Sequence, residues 1–129
     1  MLSCDARNRA MPVLRLDHVQ LAMPPAGRPM LSRSMKGSSG SSMEKPPHLA
    51  VRGGCWFETA AVKIHLGVEN GFRAAKKAHP AVIVDDVRAL AAALELAGHV
   101  VVDDEPLEGY DRVYVSDLFG NRLELVQPM

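Results

Sequence analysis

The sequence carries no excess charge of either sign: 15 Lys and Arg stand against 15 Asp and Glu, for a formal net charge of zero. Nucleic acid and anionic membrane surfaces both call for a net basic face, so the balance argues against either as a partner. Long apolar runs are also missing. No stretch approaches the ~20 residues that a membrane-spanning helix requires, and the N-terminal MLSCDARNRA lacks the apolar core of a secretory signal. Cysteine is scarce too: Cys4 and Cys55 do not make a disulfide framework, and a reducing cytoplasm is the expected compartment. What remains is a soluble globular composition, 47% hydrophobic and 23% charged. At 129 residues, the chain can bury one core and is too short for two ordinary domains.

Residues 1–12 read as a disordered leader. A strand is predicted over 13–23 (VLRLDHVQLAM), where residue types alternate until Pro24-Pro25 ends it. Short β-rich runs follow at 49–52, 55–58 and 61–68, then a polar loop at 69–78 and a strand at 79–84. A helix comes next. Asp85 or Asp86 can cap it, Val87, Leu90, Ala91, Leu94 and Ala97 share one face, and Gly98 sits where a left-handed terminating residue belongs. Strands recur at 99–103, 112–116 and 121–127, so the second half reads β-α-β-β-β. The first half reads as β, an irregular segment and three further strands, which suggests an internal duplication. His18 and His65 lie 47 residues apart and His79 and Glu124 lie 45 apart, each pair marking the first and fourth strands of its half.

The segment that breaks the pattern is 26–44, AGRPMLSRSMKGSSGSSME. It has no apolar stripe, is crowded with Ser and Gly, and reads as flexible loop, although a loop of that length inside a compact domain is unusual.

The alternation of the strands decides which side chains face together. On the fourth strand Val62, Ile64, Leu66 and Val68 share one face and leave Lys63 and His65 on the other. On the last strand Leu123 and Leu125 oppose Glu124, and on the fifth Val82 and Val84 oppose His79. His18 is less regular, because Leu14 and Leu16 share its face. Three imidazoles and one carboxylate, His18, His65, His79 and Glu124, make a plausible divalent-metal set for Zn, Ni, Fe, Mn or Co. A single strand histidine is more often a satisfied structural residue; the symmetric placement raises the metal reading above that.

Four stretches resemble the glyoxalase/bleomycin-resistance/extradiol-dioxygenase superfamily, the vicinal oxygen chelate fold. LDHVQL at 16–21 resembles its opening strand, AVKIHL at 61–66 its fourth strand, and HPAVIVDD at 79–86 the start of its second module. DLFGNRLEL at 117–125 resembles the closing DPxGNxxEL, with Leu118 in place of the usual Pro. The resemblance runs from about 14 to 127 and lapses at 26–44. Codons exist for Ser32–Met43 whose neighbouring frame spells PFYEGVLGLVD, similar to the FYxGxLGL end of the family's first helix. A pair of compensating frameshifts and a divergent insert are the two readings of that gap, and either implies a degraded or missing first-module helix and a less stable protein.

The resemblance implies an α+β fold of two βαβββ modules, 13–70 and 78–127, in one domain over 13–129, forming a curved mixed sheet around a cup. It implies metal ligation by His18, His65, His79 and Glu124. His18, His79 and Glu124 match the two-His, one-carboxylate pattern of the dioxygenases and fosfomycin-modifying transferases. Glyoxalases carry Glu where this chain has His65, so lactoylglutathione lyase activity in particular does not follow. A non-ligating His65 is free to act as a general base, and with Glu124 it makes up the candidate catalytic pair. Arg112 and Tyr114 share a face and are candidates for holding an anionic or carbonyl-bearing substrate, or else are a surface Arg and a packed Tyr. Trp56 either lines the cup or belongs to the core. The leading expectation is a divalent-metal-dependent lyase, isomerase or dioxygenase acting on a small molecule. The alternatives are a metal-free drug-binding (resistance) protein and a poorly folding, inactive product. A homodimer is the assembly that the resemblance implies.

Overall fold

The computed structural model describes residues 12–25, 42–43 and 54–129. The elements are β1 (Val19–Met23), β2 (Ser42–Met43), β3 (Cys55–Glu58), β4 (Lys63–Val68), β5 (Ala81–Ile83), α1 (Val87–Leu96), β6 (Val101–Asp103), β7 (Tyr110–Ser116) and β8 (Arg122–Pro128). They form two four-stranded sheets of the same topology, β1-β4-β3-β2 and β5-β8-β7-β6. In each, the first strand runs parallel to the fourth, and the remaining neighbours are antiparallel. The duplication extends to the register: Gln20 is level with His65, and Ala81 is level with Glu124. His18 and His79 each stand two residues ahead of those partners, so the four candidate residues occupy equivalent places in the two sheets. The architecture is the α+β one that the sequence implies.

The second sheet is built as the alternation predicts. Val113 pairs with Leu125 and Val115 with Leu123; these apolar side chains, with Val82, Val84 and Val101, cover Val87, Leu90, Ala91 and Leu94 of α1. Asp86 caps that helix, its carboxylate accepting from the Ala89 N–H at 3.0 Å. At the other end Gly98 takes φ +93°, and the Gly98 and His99 N–H groups donate back to the Glu95 and Leu94 carbonyls. This is a Schellman ending, satisfying carbonyls that a helix terminus would otherwise leave bare. Arg88 clamps the helix to the sheet through Asp103 at 2.8 Å and a two-pronged contact to Asp111.

Most strands begin or end within two residues of the sequence expectation, and the larger departures lie in the first module. The first strand begins at Val19 instead of 13, and Leu14 and Leu16 are 92% and 76% exposed. Its neighbour among the described residues, β4, begins at Lys63, just after a Thr59–Val62 turn, so the ladder between them starts at Val19. Ser42 and Met43 pair with Phe57 and Trp56 in a short strand where the sequence reads as loop. The rest of the irregular 26–44 segment, the leader before Pro12 and the expected strand at 49–52 lie outside the described residues.

A turn ahead of β8 ties the second sheet to the first. Asp117 Oδ1 accepts from the Phe119 and Asn121 N–H groups, and Gly120 adopts φ +89°, a conformation that disfavours a side chain. Asn121, 1% exposed, donates Nδ2 to the Ala22 carbonyl of β1 and to Asp117, both at 2.8 Å, and accepts from the Ala75 N–H at 3.0 Å. Phe119, from the same turn, packs against Met23 and Leu66 in the core of the first sheet. Among the described residues no helix is long and apolar enough to cross a membrane.

Two outcomes follow for stability. Asn121→Ala leaves a partly buried N–H and a partly buried carbonyl without their partner, so it is expected to cost about 2 kcal/mol in urea unfolding, against about 1 kcal/mol for Asp86→Ala; equal costs would contradict the joining role. Arg88 holds the Asp111 carboxyl below its ordinary value. The stability it contributes is complete above that ordinary value, near pH 4, and is lost as pH falls through the lower folded value. Asp111→Asn is therefore expected to flatten the acid limb of a stability-against-pH curve without changing its slope near neutrality.

Candidate functional site

Strand alternation turns Arg112 and Tyr114 of β7 and Arg122 and Glu124 of β8 to the face opposite α1, with Tyr114 level with Glu124. His79, just ahead of β5, completes this group. Glu124 is 8% exposed and its two oxygens are divided. Oε1 accepts from Arg112 Nη1 at 2.9 Å, and Oε2 stands 3.2 Å from His79 Nε2. Arg112 is committed further: its Nη2 donates to the Glu105 carbonyl at 3.0 Å and lies 3.2 Å from Asp104, while its buried Nε has no partner among the described residues. The sequence offered Arg112 as a substrate anchor; both of its terminal nitrogens are spent on the protein. The Glu124 hydrogen bond and Asp104 hold the guanidinium above its ordinary pKa despite partial burial.

Proton positions follow from the partners. His79 Nδ1 lies 2.8 Å from the Lys77 carbonyl, which can only accept, so Nδ1 carries a proton. A neutral His79 then turns the bare Nε2 lone pair toward a carboxylate oxygen. Two acceptors at 3.2 Å are stable only with a positive centre between them, a proton or a cation. Tyr114 meets the His79 ring edge-on, centroids 5.0 Å apart, and Arg122 stacks over the Tyr114 ring at 4.7 Å. Burial, reinforced by the hydrogen bond to Asp104, raises the Tyr114 phenol above its usual pKa, so it stays a neutral hydroxyl at physiological pH.

The first sheet carries the matching half. His18 Nδ1 lies 2.8 Å from Asp17 and donates to it, as His79 Nδ1 donates to the Lys77 carbonyl, and His18 Nε2 has no partner among the described residues. His65 is reversed. Its Nε2 lies 3.0 Å from Glu58 and must donate to it, so that nitrogen has no lone pair to offer. The buried His65 ring is also sandwiched, with Trp56 on one side at 4.3 Å and 8° and His18 on the other at 4.3 Å and 20°. Imidazole lone pairs lie in the ring plane, and near-parallel planes at that spacing do not aim two nitrogens at one ion. Trp56 is thus a stacking partner of His65.

The sequence-derived residues therefore fall into two groups: His79, Glu124, Arg112 and Tyr114 on one sheet, and His18, His65 and Trp56 on the other. No cluster of three or more His, Cys, Asp or Glu side chains converges as a metal cage among the described residues. Sequence reasoning missed Glu58, Asp104 and Arg122. Arg122 was legible in principle, being two residues from Glu124 on a strand; Glu58 shares a face with Trp56 in the same way. Breaking the Arg112–Glu124 pair is expected to be strongly non-additive. In a double-mutant cycle with Arg112→Gln and Glu124→Gln, the second substitution should cost roughly half or less of what it costs alone, and additive losses would contradict the pairing.

Neither a family model nor a curated protein matches the sequence. Solved structures do. A glyoxalase family protein from Bacillus anthracis superposes with a TM-score of 0.82 at 38% identity, over 91% of this chain and 97% of that one. The fosfomycin resistance protein FosX from Listeria monocytogenes matches with a TM-score of 0.68 at 13% identity, over 91% and 95% of the two chains. FosX from Mesorhizobium loti matches at 0.64 and 15%, over 91% and 94%. Listeria FosX has been crystallised with Mn(II) and sulfate, and a mutant of it with Mn(II) and 1S,2S-dihydroxypropylphosphonic acid. The two FosX likenesses support the fold alone. With the Bacillus anthracis relative aligned over nearly its whole length, this chain belongs to the glyoxalase family within the vicinal oxygen chelate superfamily.

Proposed function

We propose that the protein is a divalent-metal-dependent enzyme of the lyase, isomerase or dioxygenase type, acting on a small oxygen-bearing molecule. The observation that carries this reading is the His79–Glu124 pair. Ligands about 2.1 Å from one ion lie about 3.0 Å apart at a right angle and about 3.4 Å apart at the tetrahedral angle. The observed 3.2 Å falls between those values. The Nδ1–H of His79 held by a backbone carbonyl is the outer support that metal-binding histidines ordinarily have. His18, with Nδ1 held by Asp17 and Nε2 bare, is the third donor in this proposal.

Because His18 stands on the other sheet, the proposal includes a homodimer in which the open faces of two sheets meet. The protein is proposed to work in the cytoplasm. The ion would supply Lewis acidity to substrate oxygens. Arg112 occupies one oxygen of Glu124 and leaves Oε2 to the His79 side, while the neutral Tyr114 hydroxyl is hydrogen-bonded to Asp104. His65, bound to Glu58, keeps the first-sheet stack in place and takes no part as a ligand here.

A second reading, a metal-free small-molecule or drug-binding protein, draws on the charge balance already present. Arg112 neutralises Glu124, and a proton on His79 would complete the pair without an ion. Calorimetric titration of tag-free protein with Mn(II) and Zn(II) separates the two. Stoichiometric binding is expected, lost in His79→Ala and His18→Ala and weakened only about tenfold in His65→Asn, since loss of a ligand costs more than the tenfold or greater loss typical of a supporting residue. No binding of any first-row divalent ion after reloading would leave only the second reading.

A further inference from the structure

We infer that Arg122 and Tyr114 form an oxyanion-binding subsite beside the His79–Glu124 pair, one that takes the carboxylate, phosphonate or phosphate group of a small substrate. The inference rests on the function proposed above only for the identity of the neighbouring pair; the subsite itself is argued from Arg122.

The face holds two guanidiniums, and they differ in what they have left to offer. Arg112 is bound by Glu124, Asp104 and the Glu105 carbonyl. Arg122 makes neither an ion pair nor a side-chain hydrogen bond among the described residues, although it is half-buried. It is placed by stacking instead: β8 turns it to the same face as Glu124, and its guanidinium carbon lies 4.7 Å over the Tyr114 ring, the diagonal neighbour across the β7–β8 ladder. A cation–π contact takes up none of the guanidinium's N–H donors, which stay available in the fork that matches two oxygens of one anion. The ring contact places Arg122 on this face without consuming those donors.

Position decides what the fork would meet. Tyr114 lies between the two parts of the face, its centroid 4.7 Å from Arg122 and 5.0 Å from the His79 ring. A molecule whose oxygens reach the His79–Glu124 pair therefore brings a nearby anionic group within reach of Arg122. Asp104 is the competing carboxylate: it senses the charge of both arginines, but its contacts are the Arg112 pair at 3.2 Å, the Glu105 backbone and the Tyr114 hydroxyl. Ala81, level with Glu124 on the neighbouring strand, is small and exposed, and adds no charge to repel an anion.

The subsite can be tested without a known substrate. Inorganic phosphate and acetate are titrated, in metal-free and Mn(II)-loaded protein, while the Arg122 side-chain Nε–H resonance is followed by NMR and binding by calorimetry. Saturable movement of that resonance is expected with at least one of the two anions in the metal-free protein. The arms separate the chemistries, because phosphate alone points to phosphoryl or phosphonyl groups and both together to carboxylates as well. Arg122→Gln is expected to weaken anion binding about tenfold or more, the loss expected for one charge-assisted contact, with Arg122→Lys between it and the parent.

An Arg122 resonance that does not respond, or an Arg122→Gln affinity within about twofold of the parent, overturns the subsite. The resonance in the unmutated protein stands even if the variant misfolds. Metal titration of Arg122→Gln keeps the two proposals apart. Anion binding lost with Mn(II) binding retained supports the subsite, and anion binding present in a protein that takes up no metal removes the metal-dependent reading and leaves the subsite standing.

Discussion

The arrangement depends on one buried amide. Asn121 engages three partners that belong to different parts of the chain: the β1 carbonyl of Ala22, the Ala75 N–H ahead of β5, and the Asp117 carboxylate of its own turn. It is almost wholly shielded from water, and without it the Ala22 carbonyl and the Ala75 N–H would lose the hydrogen bonds that tie them together. It also stands directly ahead of Arg122 and three residues from Glu124. The same side chain that ties the first sheet to the second therefore sets where β8 starts, and with it the position of two of the charged groups on the open face. Gly120 and Asp117 exist in the turn for this purpose, one permitting the backbone bend and the other capping its N–H groups.

The two sheets are duplicates in topology and have diverged in chemistry. Position for position, His65 in one corresponds to Glu124 in the other. Each is buried and held by a partner of opposite character: a carboxylate, Glu58, for the imidazole, and a guanidinium, Arg112, for the carboxylate. The consequences are unequal. Arg112 leaves Glu124 one oxygen free, whereas Glu58 takes up the nitrogen that His65 would otherwise present. His18 and His79, by contrast, both have Nδ1 engaged, by Asp17 and by the Lys77 carbonyl, and differ at Nε2, which in His79 meets Glu124.

Much of this was legible in the sequence where the signal was local. The helix with its Asp86 cap and Gly98 ending, the Asp-Leu-Phe-Gly-Asn turn, and the faces of β4, β7 and β8 all depend on spacings of a few residues. The beginning of β1 was not legible, because alternation continues back to Val13 while the strand that would pair with it does not. Nor were the partners of the site. Whether Arg112 is free or spent, and which nitrogen of His65 carries the proton, is settled by Glu124, Asp104 and Glu58, residues reached across strands and invisible to a pattern read along one of them.

The stack of Trp56, His65 and His18 has a use beyond holding the first sheet's half together. Trp56 is the sole indole in the chain, and its ring lies flat against an imidazole whose other face touches His18. The protein thus contains its own optical probe, whose emission follows any displacement of the rings stacked beneath it.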